Sequence, residues 1–215
     1  MQICPRCNCQ STDEALFCVN CGYPLQERKT KSSRAKGIII GIIVTVIFLV
    51  ILKLAYDYYD RRSYMIRMED CSYKMLEGAA KAEDACNKIV AVWNNCIWTK
   101  EDSETDRYTK DENGYFYSDF NDALKNLAND EDFDKLRNDI RDNLEEVQYD
   151  MKDLQKPPKG CEQMYDLFMN FYDEYYDLVY CAIDPRGTIT TYSDDAREAD
   201  SKAVRYYDKL KLFFE

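Results

Sequence analysis

The 215-residue chain contains no histidine. That absence removes Ser/His/Asp triads, Cys/His dyads, histidine-ligated catalytic zinc and imidazole proton relays. Only carboxylates, lysine, tyrosine and cysteine remain for acid–base or nucleophilic chemistry, and the chain is not expected to be an enzyme. Glycine and proline are scarce, at seven and five residues, so long disordered stretches are not expected outside a linker. Charge is missing altogether from residues 37–52, GIIIGIIVTVIFLVIL. With no polar face anywhere in that run, an amphipathic core helix is disfavoured. A cleaved signal peptide is disfavoured too: its n-region would be 36 residues long and hold a folded module, and no small-x-small site follows.

The uncharged run continues through Lys53-Leu54-Ala55-Tyr56, giving 20 residues from Gly37 to Tyr56. At about 1.5 Å per residue they cross a hydrocarbon core of about 30 Å. A single transmembrane helix is therefore expected over 37–56, with Lys53 reaching back to the headgroups. Charge divides across it. Residues 1–36 carry six Lys/Arg against three Asp/Glu, and residues 53–215 carry 23 against 37, so the two sides are net +3 and −14. Arg28, Lys29, Lys31, Arg34 and Lys36 crowd the start of the span, while Lys53, Arg61, Arg62 and Arg67 are spread more thinly beyond it. The denser cluster is expected to stay inside, which places the N-terminus in the cytoplasm and an acidic C-terminal domain outside the cell membrane.

Five of the ten cysteines lie in the first 25 residues, and four of them form the pattern Cys4-x2-Cys7-x10-Cys18-x2-Cys21. Two CxxC knuckles at this separation can place four thiolates at the corners of a tetrahedron about 2.3 Å from Zn²⁺. A module this small cannot build an adequate apolar core, so metal binding is expected to supply most of its folding free energy. Asn8 and Gly22 directly follow the second cysteine of each knuckle, where a positive φ is commonly needed, and Pro5 stiffens the first knuckle. Phe17 is expected to be the small apolar core. A redox CxxC belongs at a helix start in a larger α/β fold, and a disulfide pair needs an oxidising compartment, so both fit less well. Cys9 is left over.

CPRC followed by FCVNCGYPL, a basic linker and one span resembles the N-terminal zinc ribbon of bacterial zinc-ribbon membrane proteins, many of them from Gram-positive organisms. The specific likeness covers about 25 residues, and the layout extends it to roughly residues 1–56. In that group the ribbon faces the cytoplasm and the region beyond the span varies. Asn8 replaces a common glycine of the first knuckle and Cys9 is additional. The resemblance implies structural zinc and membrane anchorage and carries no catalytic residues. Nucleic acid is not an expected partner: Arg6 is the one basic residue inside the module, and Asp13 and Glu14 offset it. The basic linker suits topology and anionic lipid headgroups.

Beyond the span, apolar residues recur at helical spacing. Met68, Ser72, Met75, Ala79, Ala82, Cys86, Ile89, Trp93 and Cys96 predict a long first helix, either continuous with the span or separate from it. Leu136, Ile140, Leu144, Val147, Met151 and Leu154 predict a second, ending before Pro157-Pro158, with Phe120 to Leu127 either joined to it or separate. Met164 to Ala182 predict a third. The fourth is expected to start after an N-cap at Ser193 and to carry Ala196, Ala199, Ala203, Tyr207, Leu210 and Phe214. The expected fold is mainly α: a zinc ribbon over 1–25, a basic linker over 26–36, the span over 37–56 and an antiparallel helical bundle over 57–215.

Three smaller readings complete the picture. Asn113-Gly114 signals a tight turn and a small hairpin, while Asp111, Asn113 and Gly114 match an EF-hand only in part, since Thr109 and Phe120 occupy the two anchoring ends. Cys71 and Cys161 are the first candidates for a bridge should one form. The tyrosines of FYDEYY and Tyr206-Tyr207 are expected to pack between helices with their hydroxyls at the surface, or to line a groove for a glycan or peptide. The functional expectation is a membrane-anchored, non-catalytic sensor or scaffold with structural Zn²⁺ at Cys4, Cys7, Cys18 and Cys21 and protein partners on one or both sides. The alternatives are a tethered ligand-binding or assembly module whose ribbon is only a cap, and an envelope enzyme using carboxylates.

Overall fold

The computed structural model describes residues 1–25 and 33–214. Arg28, Lys29 and Lys31 of the basic linker lie outside these. The chain divides into two compact units, Met1–Ala55 and Tyr56–Glu215.

In the first unit, β1 (Gln2–Ile3) pairs antiparallel with β2 (Gln10–Ser11), Gln2 opposite Ser11 and Ile3 opposite Gln10. The turn between them is the first knuckle, closed by the Cys4 amide on the Cys9 carbonyl and the Asn8 amide on the Cys4 carbonyl, both at 2.9 Å. The second knuckle repeats the pattern: the Cys18 amide donates to Tyr23 and the Gly22 amide to Cys18, both at 2.8 Å. Asn8 (φ 55°) and Gly22 (φ 71°) adopt the left-handed conformation their positions require. The unit ends in the first part of helix α1 (Ser33–Trp98). That part includes an 18-residue window of mean hydropathy 3.1 that is not buried at all, so one helix is long and apolar enough to cross a membrane.

The second unit is helical. After α1 come α2 (Asp106–Thr109), α3 (Phe120–Ala128), α4 (Glu131–Leu154), α5 (Glu162–Ile183) and α6 (Ile189–Leu210), closed by a 3-10 turn over Lys211–Phe213. All nine seam residues of α1, from Met68 to Cys96, are buried. They share one core with Ile140, Val147, Phe168, Phe171, Leu178, Ala199, Ala203 and Leu210. Tyr64 of α1 reaches Leu154 at the end of α4, while Lys74, further along α1, reaches Asp150 and Asn143. These two helices therefore run antiparallel. So do α5 and α6, which pair Phe171 with Tyr207, Glu174 with Lys202 and Cys181 with Tyr192.

Several expectations need correction. Helix α6 starts one turn before Ser193: Thr188 is the N-cap, its hydroxyl accepting from the Thr191 amide while the Thr191 hydroxyl accepts from the Thr188 amide. That reciprocal pair lets the helix begin early enough to bury Tyr192. Helix α3 is separate from α4, because Asp130 caps the new helix through the Phe133 amide. The short α2 lies between α1 and α3. The tight turn is present: Gly114 has φ 82°, Asp111 Oδ1 accepts from the Asn113 and Tyr115 amides, and Lys110 bridges Phe116. Helices α1 and α5 are in contact, since a Cβ at Gly78 would lie 3.0 Å from the Tyr175 ring. All ten cysteines are free thiols.

Of the tyrosines singled out from the sequence, Tyr175 departs from expectation: it is wholly buried and its hydroxyl meets Asn143 inside the core rather than reaching the surface. Tyr64 and Tyr192, on which no expectation was placed, are buried as well, and their hydroxyls also tie elements together. Each donates to an acceptor that would otherwise be orphaned or need water.

Candidate metal centre

The sulfur atoms of Cys4, Cys7, Cys18 and Cys21 all lie within 4.8 Å of one another. Among the described residues this is the one group of three or more Cys, Asp or Glu side chains close enough to hold a metal ion. Each strand pairing or turn contributes to it. The β1–β2 pairing sets Cys4, the left-handed Asn8 follows Cys7, and the Phe17–Pro24 bridge closes the second knuckle around Cys18 and Cys21. Two sulfur–sulfur separations cross between knuckles, Cys4 to Cys21 at 3.6 Å and Cys7 to Cys18 at 3.5 Å. A tetrahedron with metal–sulfur bonds of about 2.3 Å has edges of about 3.8 Å, so the cradle fits a tetrahedral thiophilic cation with little adjustment.

The electrostatics point the same way. The Cys21 and Asn20 amides donate to Cys18 and hold its thiol down at about 6. The Tyr23 amide pulls Cys21 down, but burial and the crowding sulfurs of Cys7, Cys4 and Cys18 outweigh it and push that thiol up to about 12. Four sulfurs this close cannot all carry charge unaided, and a divalent cation at the centre removes the conflict.

Phe17 is not the core of this module. It is 60% exposed, and Ile3, Leu16 and Val19 are exposed too, whereas Cys4 and Cys18 are buried. The thiols themselves occupy the interior, leaving little besides a metal to organise it. Cys9 lies outside the four-sulfur group, and its backbone carbonyl rather than its thiol is used in the knuckle.

The second unit has open clefts. One, of 510 Å³, is lined by Arg67, Asp70, Tyr73, Lys74, Asp150 and Asp153. Lys74 sits 2.8 Å from Asp150 and is raised by that bond. A second cleft of 380 Å³ between α5 and α6 gathers Glu174, Asp177, Asp195 and Glu198 around Lys202. Burial raises Glu174, with Lys202 at 3.6 Å opposing the shift. Tyr172, Tyr176 and Tyr180 form a ladder along α5 with centroids 6.2 and 6.3 Å apart, the last two rings partly exposed. The tyrosines singled out from the sequence thus lie on α5 and α6. The Asp111 turn uses its carboxylate on its own backbone.

No protein-family model, no curated protein and no solved structure matches this chain.

Proposed function

We propose that this protein is a single-span membrane protein whose ribbon, closed by Zn²⁺ on Cys4, Cys7, Cys18 and Cys21, lies in the cytoplasm and whose helical bundle lies outside. It works as a non-catalytic sensor or scaffold that couples partners on the two sides. The observation that carries this reading is the continuity of α1: the apolar stretch over 37–52 and the seam from Met68 to Cys96 belong to one helix, Ser33–Trp98. A span followed by a flexible loop would let an outer domain move independently, whereas a shared helix passes displacement or rotation of the outer core directly into the membrane segment. Exposed Ile3, Leu16 and Val19 on the ribbon favour a protein partner on the inner side.

Proximity labelling in native membranes tests the proposal. A labelling enzyme is fused to the C-terminus, and neighbours are compared between the parent and Cys4→Ser/Cys7→Ser, which cannot close the ribbon. Coupling predicts that the outer neighbour set changes when the inner module is unfolded. An unchanged outer set would reduce the ribbon to a cap and leave a tethered binding or assembly module.

A further inference from the structure

The chain from residue 53 onward is acidic as a whole, with 23 Lys/Arg against 37 Asp/Glu, yet one end of the second unit gathers cations. Arg61 and Arg62 lie on α1, and Lys156 and Lys159 lie in the loop between α4 and α5. The fold fastens that loop to that part of α1. The Tyr64 hydroxyl donates to the Leu154 carbonyl at 2.8 Å. Pro157 and Pro158 stiffen the chain that follows, and Gly160 turns it at φ 91°, where a Cβ would stand 3.7 Å from Arg61 Nη1. The Cys161 amide then donates to the Pro158 carbonyl at 3.0 Å. All four cations are exposed. Arg61 Nε donates to the Asp57 carbonyl at 3.1 Å, and among the described residues no ion pair engages Arg62, Lys156 or Lys159. Asp57, Asp60 and Glu162 share this end, with Glu162 drawn onto the Gly160 amide at 2.8 Å.

Next to these cations the same unit carries two rings that no core covers. Tyr58 and Tyr59 sit edge to face with centroids 5.7 Å apart, and they are 62% and 70% exposed. Their place along the chain supplies a reason. Tyr56 ends the apolar stretch, and α1 runs through it without a break. Arg61 follows Tyr56 by five residues, or about 7.5 Å along the helix. The polar layer of one leaflet is about 5–8 Å thick. Covalent continuity alone therefore holds Tyr58, Tyr59, Arg61 and Arg62 at the level of the headgroups, and the loop bonds bring Lys156 and Lys159 beside them.

We infer that this end of the second unit docks on the bilayer surface, with Tyr58 and Tyr59 at the edge of the hydrocarbon and Arg61, Arg62, Lys156 and Lys159 on the phosphates of anionic phospholipids. Rings with an apolar body and a polar hydroxyl suit that boundary. Long cationic side chains extend to headgroups while their stems stay on apolar surface. A negative membrane surface repels the net charge of the bundle, and cations gathered where the two come closest offset that repulsion. A soluble partner would have to reach this end against headgroups to which the chain already tethers it at high effective concentration.

The inference rests on the membrane reading above, and the test separates the two. Full-length protein carrying a fluorescent amino acid at Gln155, exposed beside Lys156, is reconstituted into vesicles of phosphatidylcholine alone or mixed with phosphatidylglycerol. Both kinds hold a lipid with a nitroxide quencher on its headgroup. Flotation is scored first, and protein that does not float with the vesicles overturns the anchor. For floating protein, the expected result is quenching that is stronger with phosphatidylglycerol and falls as salt is added. Lys156→Glu/Lys159→Glu should lower the ratio of docked to undocked protein about tenfold or more, with helix content unchanged. The same probe at Tyr115, 73% exposed and beyond the other end of α1, should be quenched in neither lipid. Quenching at Gln155 that is equal in both lipids, no stronger than at Tyr115, or unchanged by the double reversal would overturn the docking while leaving the anchor in place.

Discussion

Cys18 and Cys21 stand three residues apart, yet their thiols are driven in opposite directions, to about 6 and about 12. The cause is geometric: backbone amides converge on one sulfur while the other is crowded by its neighbours. A bound cation takes all four as thiolates, so loading should release protons, and affinity should fall as pH drops and protons compete for sulfur. Elemental analysis of the purified full chain should return about one equivalent of zinc. Cys4→Ala should lose it and Cys9→Ala should keep it. A second residue-scale test concerns Gly78, where α1, α4 and α5 converge. There Asn143 Nδ2 donates to the Lys74 carbonyl at 3.0 Å and the Tyr175 hydroxyl donates to Asn143 Oδ1 at 2.8 Å. A Cβ at Gly78 would stand 1.8 Å from Asn143 Oδ1. Gly78→Ala should therefore cost about 1–3 kcal/mol in thermal or denaturant unfolding. Tyr175→Phe, which orphans the buried amide oxygen, should cost about 1–3 kcal/mol.

At the scale of elements, the helices were legible because burial imposes a period. The seam from Met68 to Cys96 is buried at every position. Boundaries were less legible because they rest on side-chain-to-backbone bonds between residues that also suit other places. Ser193-Asp194-Asp195 has the composition of a helix start, but Thr188 and Thr191 form the reciprocal pair five residues earlier. Thr188→Ala should destabilise the second unit by about 1 kcal/mol, whereas Ser193→Ala should leave its unfolding midpoint nearly unchanged. The segment after α1 is held by Asp106, which accepts from Lys110 at 2.8 Å, the Asp102 amide at 3.0 Å and Asn95 at 3.1 Å. The Lys110 bond leads in holding its carboxyl down at about 2. A depressed carboxyl stabilises the folded state fully above its unfolded value near 4, and that contribution is lost as pH falls from about 4 through about 2. Amide exchange at Asp102 and Lys110 should accelerate over that window. Asp106→Asn should remove the pH dependence.

For the whole molecule, topology is the prediction most exposed to experiment. Native thiols make poor reporters, because Cys71, Cys86, Cys96 and Cys161 are buried, and burial pushes Cys71 and Cys86 up to about 12. An introduced thiol is better. Tyr115→Cys, on a residue 73% exposed, should react with a membrane-impermeant reagent on intact cells, and Val19→Cys, on one 86% exposed, should react only after lysis. The reverse result would invert the orientation argued from flanking charge.

Local chemistry let the sequence by itself determine the four-cysteine pattern, the left-handed residues after each knuckle, the apolar stretch and the faces of the long helices. Each depends on spacing along a few turns or a single loop, where chain geometry is nearly fixed. Only tertiary structure decided what fills the interior. It put thiols rather than Phe17 inside the ribbon, turned the Tyr64, Tyr175 and Tyr192 hydroxyls inward to acceptors on distant segments, and brought Asn143 against Gly78. Those choices join residues far apart in the chain, up to 90 positions for Tyr64 and Leu154. No local periodicity encodes which buried donor will find which acceptor, because that is settled only when the helices pack.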